Sequence, residues 1–450
     1  MKRFVIIGNG AAGITAAEEL RRRDPRAVIT ICTDEPYAMY SRPGLAYVLI
    51  NEVSAQQAVA RKPEWYQEHR IELIHSRATG IDFNRRVVSL ANGRGLLYDA
   101  LLIAVGARAV KAPFPGGDLD GVVYLDNLDN TLSILERVKT ARAAVVVGGG
   151  ITALELAEGL AHHDVETHYL SRKNNLWSAL LNDQESSLVE RQILHHGVII
   201  HYQREIAEII GRDGKAAAVK TNKDEEIPCE IVGVAVGVKP NLALVKNTPL
   251  EVDRGILTDE YLQTNISGVY AAGDCAQIYD AWSGEKRVDS LWPTAVASGR
   301  AAAINMLGGR VPYVKGVPFN AALLFGLHLT AIGQVAAAGR SDDEVEELSF
   351  ISRGSSEVWT SSSGSGYTSA WANDGTSSQR LVVRHDTIVG ALLLGNQQLA
   401  DPLRDLIDHR IDIGRTKERL LKGGTALAVT VMDEWARWRR GEAKTSPATR

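Results

Sequence analysis

Two copies of one short pattern constrain this chain more than any other feature. The first is the apolar run Phe4-Val5-Ile6-Ile7 followed by Gly8-Asn9-Gly10-Ala11-Ala12-Gly13. The second is Val145-Val146-Val147 followed by Gly148-Gly149-Gly150-Ile151-Thr152-Ala153-Leu154-Glu155, with alanine at the third glycine position. In each, an apolar strand runs into glycines and then into an alanine-rich helix. The glycines allow a tight turn, let the backbone approach a pyrophosphate, and let the helix pack closely on the strand. The helix N-terminus then presents its free N–H groups to the negative charge. One such match could be an ordinary glycine-rich turn, but two in one chain read as cradles for two dinucleotides bound face to face.

The stretch after each cradle separates the two ligands. Strand Ala27-Val28-Ile29-Thr30-Ile31-Cys32 delivers Asp34-Glu35 at its carboxyl edge, roughly 20 residues beyond the glycines, where an acid hydrogen-bonds a ribose hydroxyl pair. That role is shared between Asp34 and Glu35; the bland alternative is a solvated loop acid. The second unit, about Val122 to Val245, has Val165-Glu166-Thr167-His168-Tyr169-Leu170 in the matching place, ending in Ser171-Arg172-Lys173. A carboxylate there would repel a 2′-phosphate, whereas arginine binds one bidentately and lysine neutralises it. The pattern favours NADPH over NADH, against the alternative that both cations are merely exposed.

Composition excludes several classes. A chain of 450 residues, 23% charged and 45% hydrophobic, suits two or three soluble domains with ample core. A net charge of −4 argues against general nucleic-acid affinity, and no segment approaches the length of a membrane span. Met1-Lys2-Arg3 precedes an apolar run too short for a signal-peptide core, so the expected location is the cytoplasm. Cys32, Cys229 and Cys275 form no Cys-x-x-Cys pair, which removes a local zinc or iron–sulfur framework. Residues 71–97 read as a β-meander. Tyr98-Asp99-Ala100 through Ala107 reads as a buried strand closing on glycine. Gly268 through Ala276 ends a strand in a glycine–aspartate turn, and Trp292-Pro293-Thr294-Ala295 opens a helix. Ser361-Ser362-Ser363-Gly364-Ser365-Gly366 reads as an exposed loop, and the basic tail from about Arg437 as frayed.

On these residues the sequence resembles the FAD-dependent pyridine nucleotide–disulfide oxidoreductase superfamily. Within it the likeness is to the rubredoxin and ferredoxin reductases and to the N-terminal flavin module of assimilatory nitrite reductase. The carriers are the two glycine loops, Glu35-Pro36…Tyr40-Ser41-Arg42-Pro43, Tyr98-Asp99…Ala104-Val105-Gly106-Ala107, Ala235-Val236-Gly237-Val238-Lys239-Pro240-Asn241 and Ala271 through Ala276. Phe325-Gly326-Leu327…Ile332-Gly333 and Val389-Gly390-Ala391-Leu392-Leu393-Leu394-Gly395 resemble the third domain of the same branch.

The resemblance implies an α/β fold of two Rossmann-like three-layer dinucleotide-binding domains, for FAD and NAD(P), plus an α+β C-terminal domain. The implied boundaries are a discontinuous FAD-binding domain over 1–114 and 250–318 and an NAD(P)-binding domain over 115–249. A C-terminal interface domain follows over 319–436, then a flexible basic tail over 437–450. By position, Gly8, Gly10, Ala12 and Gly13 would hold the FAD pyrophosphate, with Arg42 and Pro43 beside it. Ala78, Ala104 and Gly106 would line that site, and Gly273 and Asp274 would meet the ribityl and phosphate region. Trp292 and Thr294 would lie near the isoalloxazine. Gly148, Gly150, Ile151 and Ala153, with Gly237, would hold the nicotinamide nucleotide, whose far ribose meets Ser171, Arg172 and Lys173. Glu155 would lie close to the nicotinamide and flavin N5, making Glu155 and Trp292 the catalytic candidates.

Three departures matter. Disulfide members carry cysteines, and peroxidase and oxidase members one cysteine, in the segment that here reads Ser41-Arg42-Pro43-Gly44-Leu45, so a thiol relay is disfavoured. The lysine that many electron-transfer members place after the Arg-Pro step is replaced by Ala46-Tyr47, and the usual Ala-Thr-Gly is Ala104-Val105-Gly106. The implied activity is reduction of FAD by NADPH or NADH, with electrons leaving to a small iron–sulfur or rubredoxin-type carrier. An oxygen-reducing NAD(P)H oxidase and a nucleotide-sensing flavoprotein of the apoptosis-inducing-factor kind are the alternatives, and a homodimer is left open.

Overall fold

The computed structural model describes residues 1–177, 180–282, 284–336, 347–350, 359–363 and 367–442. The chain divides into two compact units.

The first unit comprises Met1–Val110, Leu125–Leu132 and Val238–Lys315. Its centre is a five-stranded sheet, in the order Val269–Ala271, Ala100–Ile103, Arg3–Ile7, Val28–Thr33, Ile71–His75. All of its pairings are parallel, with Phe4 opposite Ile29 on one side and Ala100 on the other. A strand buried on both faces reads as a continuous apolar run, and Phe4, Val5, Ile6 and Ile7 are all buried. Helix Ala11–Arg23 is rich in good helix formers, carries Arg21, Arg22 and Arg23 in its last turn where the dipole favours cations, and ends at Asp24 before Pro25. It packs on helix Trp292–Met306 so tightly that a Cβ on Gly299 would stand 2.2 Å from the Ala12 carbonyl oxygen. The meander expected over 71–97 is shorter than read. Ala78–Asp82, Val87–Leu90 and Gly95–Leu97 form it, while Ile71–His75 joins the parallel sheet beside Val28–Thr33. The apolar alternation of Ile71 to Ile74 fits either sheet, and only the partner strand decides.

The second unit comprises Lys111–Tyr124, Ser133–Gly237 and Gly316–Arg450. It repeats the arrangement in a second five-stranded sheet, Ile199–Tyr202, Glu166–Ser171, Ala143–Val147, Ile231–Val234, Val122–Val123, again parallel throughout. The antiparallel strands Ile206–Arg212, Lys215–Thr221 and Glu226–Pro228 accompany it. Beyond Gly316 lies a five-stranded antiparallel sheet, Phe319–Leu324, Leu327–Gly333, Thr387–Leu394, Ser378–Arg384, Tyr367–Asn373, with helices Ala400–Asp408, Lys417–Leu421 and Thr425–Arg439. Polar contacts join this sheet to the preceding parallel fold. Arg380 pairs with Glu185 at 3.2 Å, each side chain 1% exposed. The amide of Phe325, at the tip of the first hairpin, donates to Glu158 Oε1 at 2.6 Å.

Ser361, Ser362 and Ser363, expected in a loop, fall in strand Trp359–Ser363, and 364–366 lie outside the described residues. The last helix continues through Arg439, past the start expected for the frayed tail, because Arg437 is tied to Glu434 at 2.8 Å; 443–450 lie outside the described residues. The fold is α/β, with two Rossmann-like nucleotide folds and an α+β C-terminal part.

Candidate active site

In each parallel sheet the chain goes from a central strand, Arg3–Ile7 or Ala143–Val147, to one side and later returns on the other. The carboxyl ends of the two central strands therefore form a switch point, the place where open α/β sheets bind ligands. In the first unit these strands are Arg3–Ile7 and Ala100–Ile103, and Gly8 leaves the first with φ +115°. A Cβ on Gly8 would lie 2.1 Å from the Ala104 carbonyl oxygen, and one on Gly13 would lie 2.0 Å from the Gly8 oxygen. Both positions exclude any side chain. Gly10 differs: no atom comes within 4 Å of the place its Cβ would take, so the backbone there is open to a ligand. Gly10 is also the N-cap of helix Ala11–Arg23 and supplies no side-chain cap, leaving the helix start to an anion. This cradle fits a dinucleotide pyrophosphate.

The second switch point repeats the geometry. A Cβ on Gly148 would lie 2.3 Å from the Ala235 oxygen, which stands where Ala104 stands in the first cradle. Gly150 is the uncapped N-cap of helix Ile151–His162, with Ile151 and Ala153 buried beneath the loop. Gly237, φ +123°, turns the chain away after the neighbouring strand. The Tyr169 hydroxyl donates to the Gly148 carbonyl at 2.6 Å and holds the loop from below.

Comparison with known proteins now bears on this doubled geometry. The model of the pyridine nucleotide-disulphide oxidoreductases matches residues 2–299 of the chain. The chain belongs to that family. It is therefore a flavin-dependent NAD(P)H oxidoreductase, with FAD and a nicotinamide nucleotide as its cofactors. Rhodocoxin reductase of Rhodococcus erythropolis is 32% identical over 319 residues, 70% of this chain and 74% of that protein. The nitrite reductase of Bacillus subtilis is 26% identical over 96% of this chain, which spans only 51% of that longer protein. Rubredoxin-NAD(+) reductase of Pseudomonas putida is 27% identical over 69% of this chain and 81% of its own. Among solved structures, putidaredoxin reductase in covalent complex with putidaredoxin superposes with a TM-score of 0.79 at 22% identity, over 95% of this chain and 99% of that one. The ferredoxin reductase of Rhodopseudomonas palustris gives 0.78 at 23%, over 90% and 94%.

Around the first cradle of this oxidoreductase the structure brings some expected residues together and separates others. Glu35 sits in a built network: Arg42 pairs with its Oε1, the Tyr40 hydroxyl donates to Oε2 at 2.6 Å, and Arg42 also donates to the Asp126 carbonyl. Asp34 stands apart, more exposed and paired with Arg108 at 2.6 Å. Pro43 follows in the turn whose Gly44 amide bonds the Ser41 carbonyl. Ala78 opens the meander, half-buried. Ala104 is buried against Gly8, while Gly106, φ +67°, accepts from the Asn241 amide at 2.9 Å. Ala12 touches the opposite wall, since a Cβ on Gly273 would come 3.0 Å from its own. The Gly273 amide donates to Ser298 Oγ at 3.1 Å, which fixes the short turn carrying Asp274 to helix Trp292–Met306. Trp292 opens that helix half-buried against the core, and Thr294 Oγ1 donates to Asp289 at 2.9 Å.

At the second cradle, Glu155 is half-buried on helix Ile151–His162. Ser171 is half-buried, whereas Arg172 and Lys173 are exposed at the end of strand Glu166–Ser171. Sequence reasoning missed three contributors. Arg204 bonds its amide to the Ser171 carbonyl at 3.0 Å and forks onto Glu225 at 2.5 and 2.7 Å, a third cation at this edge. Asn9 accepts from the Tyr66 hydroxyl at 3.0 Å, and that hydroxyl accepts from the Met39 amide at 3.0 Å. Only the isolated glycine pattern was visible locally; each of these partners lies far along the chain.

The cysteines lack the setting of a reactive thiol. Cys32, Cys229 and Cys275 are buried, and burial pushes each thiol up to about 12, the reverse of what a reactive thiolate needs. Among the described residues no cluster of three or more His, Cys, Asp or Glu is arranged to hold a metal, and no helix is long and apolar enough to cross a membrane.

Proposed function

We propose that this oxidoreductase takes reducing equivalents from NADPH and passes them to a small one-electron carrier of the iron–sulfur or rubredoxin type. The observation that carries the reading is the pair of equivalent cradles, Gly8 against Ala104 and Gly148 against Ala235, each at the foot of an uncapped helix. When bound, FAD supplies the chemistry that joins two-electron oxidation of a nicotinamide to one-electron delivery.

Residues of the chain supply binding and alignment. Gly8, Gly10, Ala12 and Gly13 hold the FAD pyrophosphate at the first helix start, with Glu35 as the ribose acid held in place by Arg42 and Tyr40. Pro43, Ala78, Ala104, Gly106, Gly273, Asp274, Trp292 and Thr294 complete that site. Gly148, Gly150, Ile151, Ala153 and Gly237 hold the nicotinamide nucleotide, and Glu155 orients its reacting end. Arg172 and Lys173 receive the 2′-phosphate, with Ser171 beside them. The FAD-binding part is taken as 1–114 with 250–318, the NAD(P)-binding part as 115–249 and the interface part as 319–436. No protein acid or base is required for hydride transfer, and three buried thiols with raised pKa values support a route without sulfur. The carrier is proposed because relatives are named rhodocoxin reductase and rubredoxin-NAD(+) reductase.

Anaerobic stopped-flow reduction of the yellow protein by NADPH and by NADH, followed by addition of rubredoxin or a small ferredoxin, tests this. Rapid bleaching with NADPH and reoxidation by a carrier is the expected result. A second reading, reduction of oxygen, is favoured by the 28% identity over 316 residues to an NADH oxidase of Methanocaldococcus jannaschii. Fast aerobic NADPH consumption with no carrier present would select it.

A further inference from the structure

The first unit holds a buried charged cluster that adjoins the residues assigned to FAD. At the turn of Gly273, a small cavity is lined by Asp280, Arg287, Asp289, Thr294, Tyr313 and Lys315 among others. Lys315 Nζ lies 2.7 Å from Asp289 Oδ2 and 3.1 Å from Asp280 Oδ2, and the three side chains are only 11%, 13% and 4% exposed. Taking a lysine and two carboxylates out of water costs more than their attraction reliably returns, so tying down a surface segment is a poor reason for the arrangement.

The contacts lead from this cluster to the candidate FAD site. Asp289 accepts from Thr294 Oγ1 at 2.9 Å, in the first turn of helix Trp292–Met306. That helix has no side-chain cap at Leu291, and Pro293 has no N–H to offer, so Asp289 brings its charge to an otherwise open positive helix end. The Thr294 carbonyl accepts from Ser298 Oγ at 2.7 Å, and Ser298 Oγ accepts from the Gly273 amide at 3.1 Å. One continuous path thus runs from Asp280 and Lys315 through Asp289, Thr294 and Ser298 to the turn that carries Asp274.

We propose that Lys315 is a positioning residue of the FAD site, which holds Asp289 and through it the helix start and the Gly273 turn, and whose charge raises the reduction potential of the bound flavin. This rests on the assignment of the first cradle to FAD. Burial works against the ammonium, but Asp289 and Asp280 outweigh it and leave its pKa above the ordinary lysine value. Arg287 lines the same cavity, and removing Lys315 from beside the two carboxylates takes one positive charge away from it, which disfavours electrons placed at the adjoining site. Removing Asp289 instead does the opposite.

The test is anaerobic redox titration of the FAD-loaded protein against a reference dye at fixed pH. Lys315→Met is expected to lower the ratio of reduced to oxidised FAD by roughly tenfold at equal poise, the scale of one unit charge removed from a poorly solvated neighbourhood. Asp289→Asn is expected to raise it, and Lys315→Arg to restore the parent value. A Lys315→Met protein with lowered melting temperature and unchanged ratio overturns the proposal, as does a shift of Asp289→Asn in the same direction as Lys315→Met. Where Lys315→Met fails to fold, the sign of the Asp289→Asn shift alone decides. A parent protein that takes up no FAD fails earlier, at the cradle assignment itself.

Discussion

At the scale of single residues, the glycines of the cradles act by what they lack. Gly8 and Gly13 face carbonyl oxygens at 2.1 and 2.0 Å from a notional Cβ, so the clash is with backbone that cannot swing aside. Gly8→Ala or Gly13→Ala is expected to cost about 1–3 kcal/mol, read as lost FAD affinity or lowered melting temperature. Gly10→Ala, with open space around it, is expected to leave the fold intact and weaken FAD alone; equal loss of folding in all three would count against a ligand-facing role for Gly10. At the other cradle, Arg172→Ala with Lys173→Ala is expected to raise the KM for NADPH by about 10- to 100-fold, the loss of charge-assisted contacts worth about 1.5–3 kcal/mol. The KM for NADH should stay nearly constant, and equal effects on both nucleotides would remove the phosphate assignment. The thiols give a third test. With pKa values pushed to about 12 by burial, they stay protonated at pH 8, so a disulfide reagent should titrate none of Cys32, Cys229 and Cys275 in the native protein and all three after denaturation.

At the scale of elements, helices Ala11–Arg23 and Trp292–Met306 form one seam, closed by Ala12 and Gly299. Any larger residue at 299 pushes against the first turn of the cradle helix, so a folding defect there becomes a FAD-binding defect. The contact of strand Ser378–Arg384 with helix Asp183–His195 works through charge. Arg380 and Glu185 are both buried; burial raises the Glu185 pKa and lowers that of Arg380, each against the pull of its partner. Glu185 also closes the capping box of its helix with Asn182, so one carboxylate serves two joints. Arg380→Met alone is expected to destabilise the second unit by about 3–5 kcal/mol, because it strands the carboxylate, whereas Arg380→Met with Glu185→Leu should recover much of that loss. Denaturant unfolding of the two variants measures the difference. A double variant no better than the single would assign the loss to the capping box that Glu185 closes or to packing against Trp371, whose ring the guanidinium overlies at 5.1 Å.

At the scale of the molecule, one topological device is used twice and a different kind of sheet is added once. Much of this was legible in the chain. A strand buried on both faces must be apolar throughout, and a position whose Cβ would stand about 2 Å from another residue's carbonyl oxygen must be glycine, so both parallel folds and both cradles were written locally. What the chain did not disclose were contacts whose partners are remote: Tyr66 with Asn9, 57 residues away, Tyr169 with Gly148, 21 away, and Arg380 with Glu185. Likewise Glu35 and Asp34, equivalent as acids at one strand end, were separated only when Arg42 and Tyr40 closed on one and Arg108 on the other. The amino-acid order determined where a side chain had to be absent, since that demand comes from the strand and helix on either side of it. Which polar groups were buried together, and so which of them carry a held charge, was decided by tertiary structure alone, because desolvation and Coulomb attraction depend on neighbours in space.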